Sequence, residues 1–165
     1  MNHYKSWSDL NKQLSEFLCD SLKGRISYFL TRYHEVHNSY GRAAIMLDKK
    51  ELVVFSWINT YVMERDVNEK WKGTGVYDIN APDLKEKWDK DGTISDWDFL
   101  QGATDFLQIP VSDALISDNY LIRVFAILDR RLGKRTLRKI YDSEEYKSYP
   151  EWVQQFYKLR FEDLD

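Results

Sequence analysis

The chain has 165 residues, with 24 Lys and Arg against 27 Asp and Glu, for a formal net charge of −3. That length supports one domain with a core of its own, and a single cysteine, Cys19, excludes an internal disulfide framework and fits a reducing compartment. No apolar run reaches the ~20 residues that cross a bilayer, and the opening Met-Asn-His-Tyr-Lys-Ser-Trp lacks the apolar core of a signal peptide, so the expected setting is cytoplasmic, with no membrane partner.

Ser6 followed three residues on by Asp9 is a weak capping box. Leu10, Leu14, Phe17, Leu18 and Leu22 then recur at helical spacing, with Gly24 placed to stop that helix. From Arg25 the period changes to two: Ile26, Tyr28 and Leu30 alternate with Ser27, Phe29 and Thr31, the pattern of a strand. After a polar loop (Glu35 to Gly41), the runs Arg42–Leu47 and Leu52–Trp57 flank Asp48-Lys-Lys-Glu51 and predict a hairpin. Lys-Lys suits a tight type I′ turn poorly, so a wider turn is expected. Leu52-Val-Val-Phe55 is apolar on both faces and is expected to be the most covered of the three strands.

The rest reads as helices. Tyr61, Met63, Val67 and Trp71 suggest one that Gly73 stops, and Asn80-Ala-Pro82 opens another. Ser95 with Asp98 caps the next, with Ile94 able to staple to Phe99. Pro110 and Ser112 introduce a short helical turn around Ala114–Ile116. The strongest helix is expected from about Asn119 to Leu132, with Leu121, Phe125, Leu128 and Leu132 on one stripe. Ser148-Tyr-Pro-Glu151 is a full capping box for a last helix on which Trp152, Phe156 and Leu159 share a face.

Charge is concentrated in one place. From Leu121 to Ile140 there are seven cations (Arg123, Arg130, Arg131, Lys134, Arg135, Arg138, Lys139) and one acid, Asp129, a local balance of +6 that leaves −9 for everything else. On a helical wheel Leu121, Phe125, Leu128 and Leu132 cluster within about 60°, while Leu137 and Ile140 lie roughly 120° away. One straight helix cannot bury both sets, so a break is expected at Gly133, in the left-handed conformation that ends helices. Two readings of the resulting corner stand side by side. Cations in the last turn of a helix complement its dipole, and Asp129 or other acids of the chain can pair with them. Alternatively, guanidinium groups around a turn can grip a carboxylate, a phosphate or an acidic protein face. Arg130, Arg131, Lys134 and Arg135 are the candidate anion- or partner-binding residues. Nucleic acid is disfavoured, because a chain of pI near 5.7 lacks a broad positive footprint.

No motif supplies chemistry. Gly133-Lys134-Arg135 would need a glycine at position 128 to end a P-loop, and that residue is Leu128. His34 and His37 form a His-x-x-His pair with nothing nearby to complete a metal site. Neither Cys19 nor any serine carries a nucleophile signature. Twenty-five aromatics (6 Trp, 11 Tyr, 8 Phe) point to an aromatic-rich core, with a partner surface as the alternative.

Leu22-Lys-Gly-Arg25, Asp113-Ala-Leu-Ile-Ser117, Leu128-Asp-Arg-Arg-Leu-Gly-Lys-Arg-Thr-Leu137 and Phe156-Tyr-Lys-Leu-Arg160 resemble a family of small, uncharacterised bacterial cytosolic proteins. The resemblance spans most of the chain and is most specific over the basic decapeptide and the terminal Phe-Tyr-x-Leu-Arg. It implies a bacterial source and a chain that folds as one unit, and it supplies no catalytic residue.

The expected architecture is α+β: an N-terminal helix packed on a three-stranded antiparallel meander (residues 1–57), then a helical C-terminal region (58–165) sharing its core, as a single domain over 1–165. The leading expectation for function is a non-catalytic protein-binding or accessory protein of the immunity type that recognises another protein. The alternatives are an enzyme whose site is assembled from scattered residues, and a structural protein whose basic corner binds an anion. No catalytic residue, metal ligand or cofactor is assigned, and the oligomeric state is left open.

Overall fold

The computed structural model describes residues 6–32, 41–56 and 96–162. The expected loop at 35–40, the helices read over 61–71 and from Asn80, the Ser95 cap, the Ile94 staple and all three histidines lie outside the described residues.

Helix α1 spans Trp7–Glu16, and the Ser6 hydroxyl accepts from the Asp9 amide at its start. The apolar stripe outlasts the helix. Phe17 closes α1, Leu18 enters an isolated antiparallel bridge with Asp129, and Leu22 is buried in the turn that follows. Gly24, at φ +82°, reverses the chain into the sheet.

Strands β1 (Ile26–Arg32), β2 (Gly41–Leu47) and β3 (Lys50–Ser56) form an antiparallel meander in the order β1-β2-β3. The register pairs Tyr28 with Ile45 and Ala43 with Phe55, placing Ile26, Tyr28, Ala43, Ile45, Val53 and Phe55 on the buried face. Contrary to expectation, β2 is the most covered strand, with Ala43, Ala44 and Ile45 fully buried, because the middle strand of a meander has a neighbour on each side. The hairpin turn is also tighter than expected. Asp48 and Lys49 are its two central residues, at φ +50° and +69°, the signs a type I′ turn requires. The Arg25 guanidinium holds the Asp48 carboxylate through Nε and Nη2 at 3.1 and 2.9 Å, offsetting the strain of that backbone.

The helical region comprises α2 (Asp96–Phe106), α3 (Val111–Leu115), α4 (Tyr120–Ile127), α5 (Lys134–Tyr141), a 3-10 turn (Glu145–Ser148) and α6 (Glu151–Phe161). Helix α4 is the axis of the molecule, since every residue from Leu121 to Ile127 is buried. Asn119 caps it by accepting from the Leu121 and Ile122 amides. Gly102 lets α2 approach closely, because a Cβ there would meet Leu121 at 3.0 Å. Phe55, Phe99, Phe106 and Phe125 meet stacked, tilted or edge to face between sheet and helices, so sheet and helices share one core. The capping box expected at Ser148 does not form. Pro150 takes the cap position with no side-chain bond, and the Ser148 hydroxyl donates to the Glu145 carbonyl within the 3-10 turn.

Candidate functional site

The basic corner is built where α4 stops. Its sequence could continue as helix through Leu132, and three backbone bonds would have to form for it to do so. Arg130 N–H would donate to Ala126, Arg131 N–H to Ile127, and Leu132 N–H to Leu128. Each is diverted. Arg130 N–H donates to the Phe17 carbonyl at 2.7 Å, while Ala126 accepts from Asp129 N–H. Arg131 N–H donates to the Asp129 carboxylate at 2.8 Å, while the Ile127 carbonyl accepts from the Arg160 guanidinium. Leu128 accepts from Cys19 N–H at 2.9 Å, and Leu132 N–H turns back to Asp129. The helix read from the sequence as Asn119–Leu132 therefore ends at Ile127. Gly133 is not left-handed: at φ −76°, ψ 152° it is the extended N-cap of α5.

Two buried charged side chains hold this corner. The Asp129 side chain has no exposed surface and is gripped by the Arg131 fork, Nε at 3.0 and 3.2 Å and Nη2 at 2.7 Å. The Arg131 guanidinium also lies over the Phe17 ring, 3.9 Å from its centroid. On the other side Arg160, from the last turn of α6, donates to the carbonyls of Ile127, Asp129 and Leu132, the last two at 3.0 and 2.6 Å. One planar guanidinium thus supplies donors to three carbonyls, two of which, those of Ile127 and Leu132, would otherwise be buried without partners.

The four candidate residues separate into two kinds. Arg131, partly open to solvent, is paired with the buried Asp129 as half of a latch. Arg130 and Arg135 are exposed and Lys134 is partly exposed, and none of the three has an ion pair among the described residues. Helix α5 buries Leu137 and carries Lys134, Arg135, Arg138 and Lys139 with no acid among its eight residues. Arg138 lies over Phe161, 4.5 Å from the ring centroid, and beside Tyr141. Gly133 provides no side-chain cap, so two cations occupy the first turn of a helix whose dipole favours anions there.

Sequence reasoning missed Phe17 and Arg160; it left Asp129 to pair with one of several neighbouring cations, and in the structure that partner is Arg131. A signal for Arg160 was present: Val153, Phe156, Tyr157 and Arg160 fall at i, i+3, i+4 and i+7, which puts a cation on an apolar stripe.

A family model matches residues 6–161, a span that contains the corner, Phe17 and Arg160. The chain belongs to the SF0329 protein family. No curated protein and no solved structure matches it. In this SF0329 member the basic decapeptide and the terminal Phe-Tyr-x-Leu-Arg, 19 residues apart in sequence, are one spatial unit joined by Arg160.

A second polar cluster surrounds Arg123, whose side chain donates to the carbonyls of Ser117 and Ile116 and to the Tyr149 hydroxyl, the last at 2.7 Å, and lies 3.7 Å from Glu145. Burial pushes the phenols of Tyr146, Tyr149 and Tyr157 above their ordinary value, which keeps them neutral at physiological pH. This cluster joins α3, α4 and the 3-10 turn. Among the described residues no group of three or more His, Cys, Asp or Glu is placed to hold a metal ion, and no helix is long and apolar enough to cross a membrane.

Proposed function

We propose that the protein is a non-catalytic binding protein of the bacterial cytoplasm that recognises an acidic face of another protein through Arg130, Lys134, Arg135 and Lys139. One observation carries the reading: these cations have no ion pair among the described residues, yet Arg130 stands on backbone pinned by Phe17, Cys19, Asp129 and Arg160, and Lys134, Arg135 and Lys139 stand on α5, which Leu137 anchors in the core. Side chains on rigid backbone lose less freedom on binding. Lys134 and Arg135 also oppose the dipole of their own helix, so the fold gains nothing from them there. A partner is favoured over a free small anion because the cations are spread over a loop and two turns of helix rather than gathered around one point.

The test compares wild type with a variant carrying Arg130→Glu, Arg135→Glu and Lys139→Glu. Titration calorimetry against an oligoglutamate peptide and a DNA duplex of matched charge supplies the probes. The reading expects the peptide to bind wild type at least as tightly as the duplex, with affinity falling about tenfold or more in the variant, whose melting temperature stays close to wild type. Tighter binding of the duplex overturns it, as does peptide binding indifferent to the charge reversals.

A further inference from the structure

We infer that Arg160 is a positioning residue of the basic corner: it selects the backbone conformation of residues 127–132 that aims Arg130 outward and starts α5 at Lys134. The inference rests on the binding role proposed for the corner, and its first half is measurable without any ligand.

The competing conformation is specific. Leu128-Asp-Arg-Arg-Leu132 contains no residue that breaks a helix, and its apolar spacing continues that of α4. In the continued helix, Ile127 would accept from Arg131 N–H and Leu128 from Leu132 N–H. Arg131 would then leave the Asp129 carboxylate, and Arg130 N–H would leave Phe17. Helix α5 could not begin at Gly133 in its present direction.

Arg160 opposes that state at its most sensitive point. It occupies the Ile127 carbonyl, the acceptor a continuing helix needs for Arg131, and it ties the carbonyls of Asp129 and Leu132 into the same fork. Those three oxygens converge on one group only when 128–132 is folded back as observed. Asp129 holds the corner from within and the segment Phe17–Cys19 through two backbone bonds, whereas Arg160 alone reaches three of its carbonyls with one side chain, from α6, 28 to 33 residues away. At 4% exposure it has no surface to offer a partner, so any effect on binding must pass through the corner.

The experiment uses the full chain with Arg160→Lys and Arg160→Met. Lysine keeps the charge and can serve part of the carbonyl set; methionine keeps the stem and donates nothing. Amide hydrogen exchange by NMR reports on Arg130, Arg131, Leu132 and Leu137, with Phe29 and Ala44, which face each other in the sheet, as internal references. Exchange at the four corner amides should accelerate about tenfold in Arg160→Lys, as when local opening becomes easier by one charge-assisted hydrogen bond, and further in Arg160→Met, with the sheet amides unchanged. Affinity for the oligoglutamate peptide should fall in the same order. Uniform acceleration across sheet and corner means that Arg160 serves only global stability and overturns the inference. So does unchanged exchange at the corner, or corner exchange that accelerates while affinity holds. Should Arg160→Met fail to fold, Arg160→Lys alone decides. Failure of the binding role itself is read separately, from the charge reversals at Arg130, Arg135 and Lys139.

Discussion

Arg130 and Arg131 are adjacent and chemically identical, yet their removal should have very unequal consequences for stability. Arg131→Ala leaves the Asp129 carboxylate buried with the Arg131 backbone N–H as its remaining donor. Removing one partner of a buried pair costs ~3–5 kcal/mol where no water can follow. The Arg131 side chain is 39% exposed, so water reaches the space it vacates and screens the carboxylate; that lowers the figure to about 2 kcal/mol. Loss of the contact over Phe17 adds ~0.5 kcal/mol. For a chain of this size each kcal/mol lowers the melting temperature by roughly 2–4 °C. Arg131→Ala should therefore melt about 5–10 °C below wild type. Arg130→Ala removes an exposed side chain without an ion pair and should stay within ~0.5 kcal/mol of wild type.

Differential scanning calorimetry of both variants and of the Asp129→Ala/Arg131→Ala double variant completes the cycle. The double variant should be less destabilised than the sum of its singles, because with both charges gone none is left buried alone. Equal shifts for Arg130→Ala and Arg131→Ala would refute the division into a paired latch and an outward site. Strict additivity of Asp129→Ala and Arg131→Ala would refute the latch itself.

Three further outcomes follow from the turn and the buried phenols. Lys49→Gly should raise stability by about 0.5–1 kcal/mol, since glycine takes positive φ without the clash that lysine suffers at +69°; a lower melting temperature would contradict this. The hydrogen bond from Arg25, with its charge, holds the Asp48 carboxyl below its ordinary value. Its contribution is present above the unfolded carboxylate pKa and lost as pH falls through the folded one, so Asp48→Asn should lower stability in the neutral region and flatten the acid limb, the variant and wild-type curves converging at low pH. Burial, then the neighbouring Asp129 and Cys19, push the Tyr28 phenol far above its ordinary value. Stability is then fully present below pH ~10 and falls above it, by at most about 1.4 kcal/mol per pH unit for this one group. Tyr28→Phe should reduce that slope, and identical slopes above pH ~10 would count against the burial argument.

What the sequence made legible was local. The α1 cap at Ser6, the alternation in β1, the Asn119 start of α4 and the sheet-then-helices order all follow from short-range periodicity, and all are observed. The misses share a cause: the deciding partner is distant in sequence. Residues 128–132 are helix-compatible in isolation, and Phe17, Cys19 and Arg160 end the helix from elsewhere in the chain. Lys49 is a poor turn residue by local rules, yet the cross-strand register and the Arg25–Asp48 pair impose the tight turn on it. The coverage of β2 was available but overlooked. A meander places its second strand in the middle, and the small Ala43 and Ala44 fit a strand flanked on both sides, whatever the hydrophobicity of Leu52–Phe55.

The +6 of the basic window also overstates what a partner can meet. Of its seven cations, Arg123 faces inward, Arg131 is spent on Asp129, and Arg138 lies over Phe161. Four remain for an outside ligand: Arg130, Lys134, Arg135 and Lys139. That number separates two kinds of partner by salt dependence. A DNA duplex that engaged all four would release condensed counterions and lose affinity with a log–log slope near −3.6, about −0.9 per phosphate contact. An acidic protein face carries no condensed counterion layer, so its affinity should fall more gently, mainly through screening over the ~10 Å Debye length. A titration of binding between low and physiological salt should therefore give a slope much shallower than −3.6 for an acidic peptide whose glutamates are spaced more than about 10 Å apart, too far to condense counterions. A slope that steep would mean that the corner has the geometry of a polyanion groove, and the protein-binding reading would fall with it.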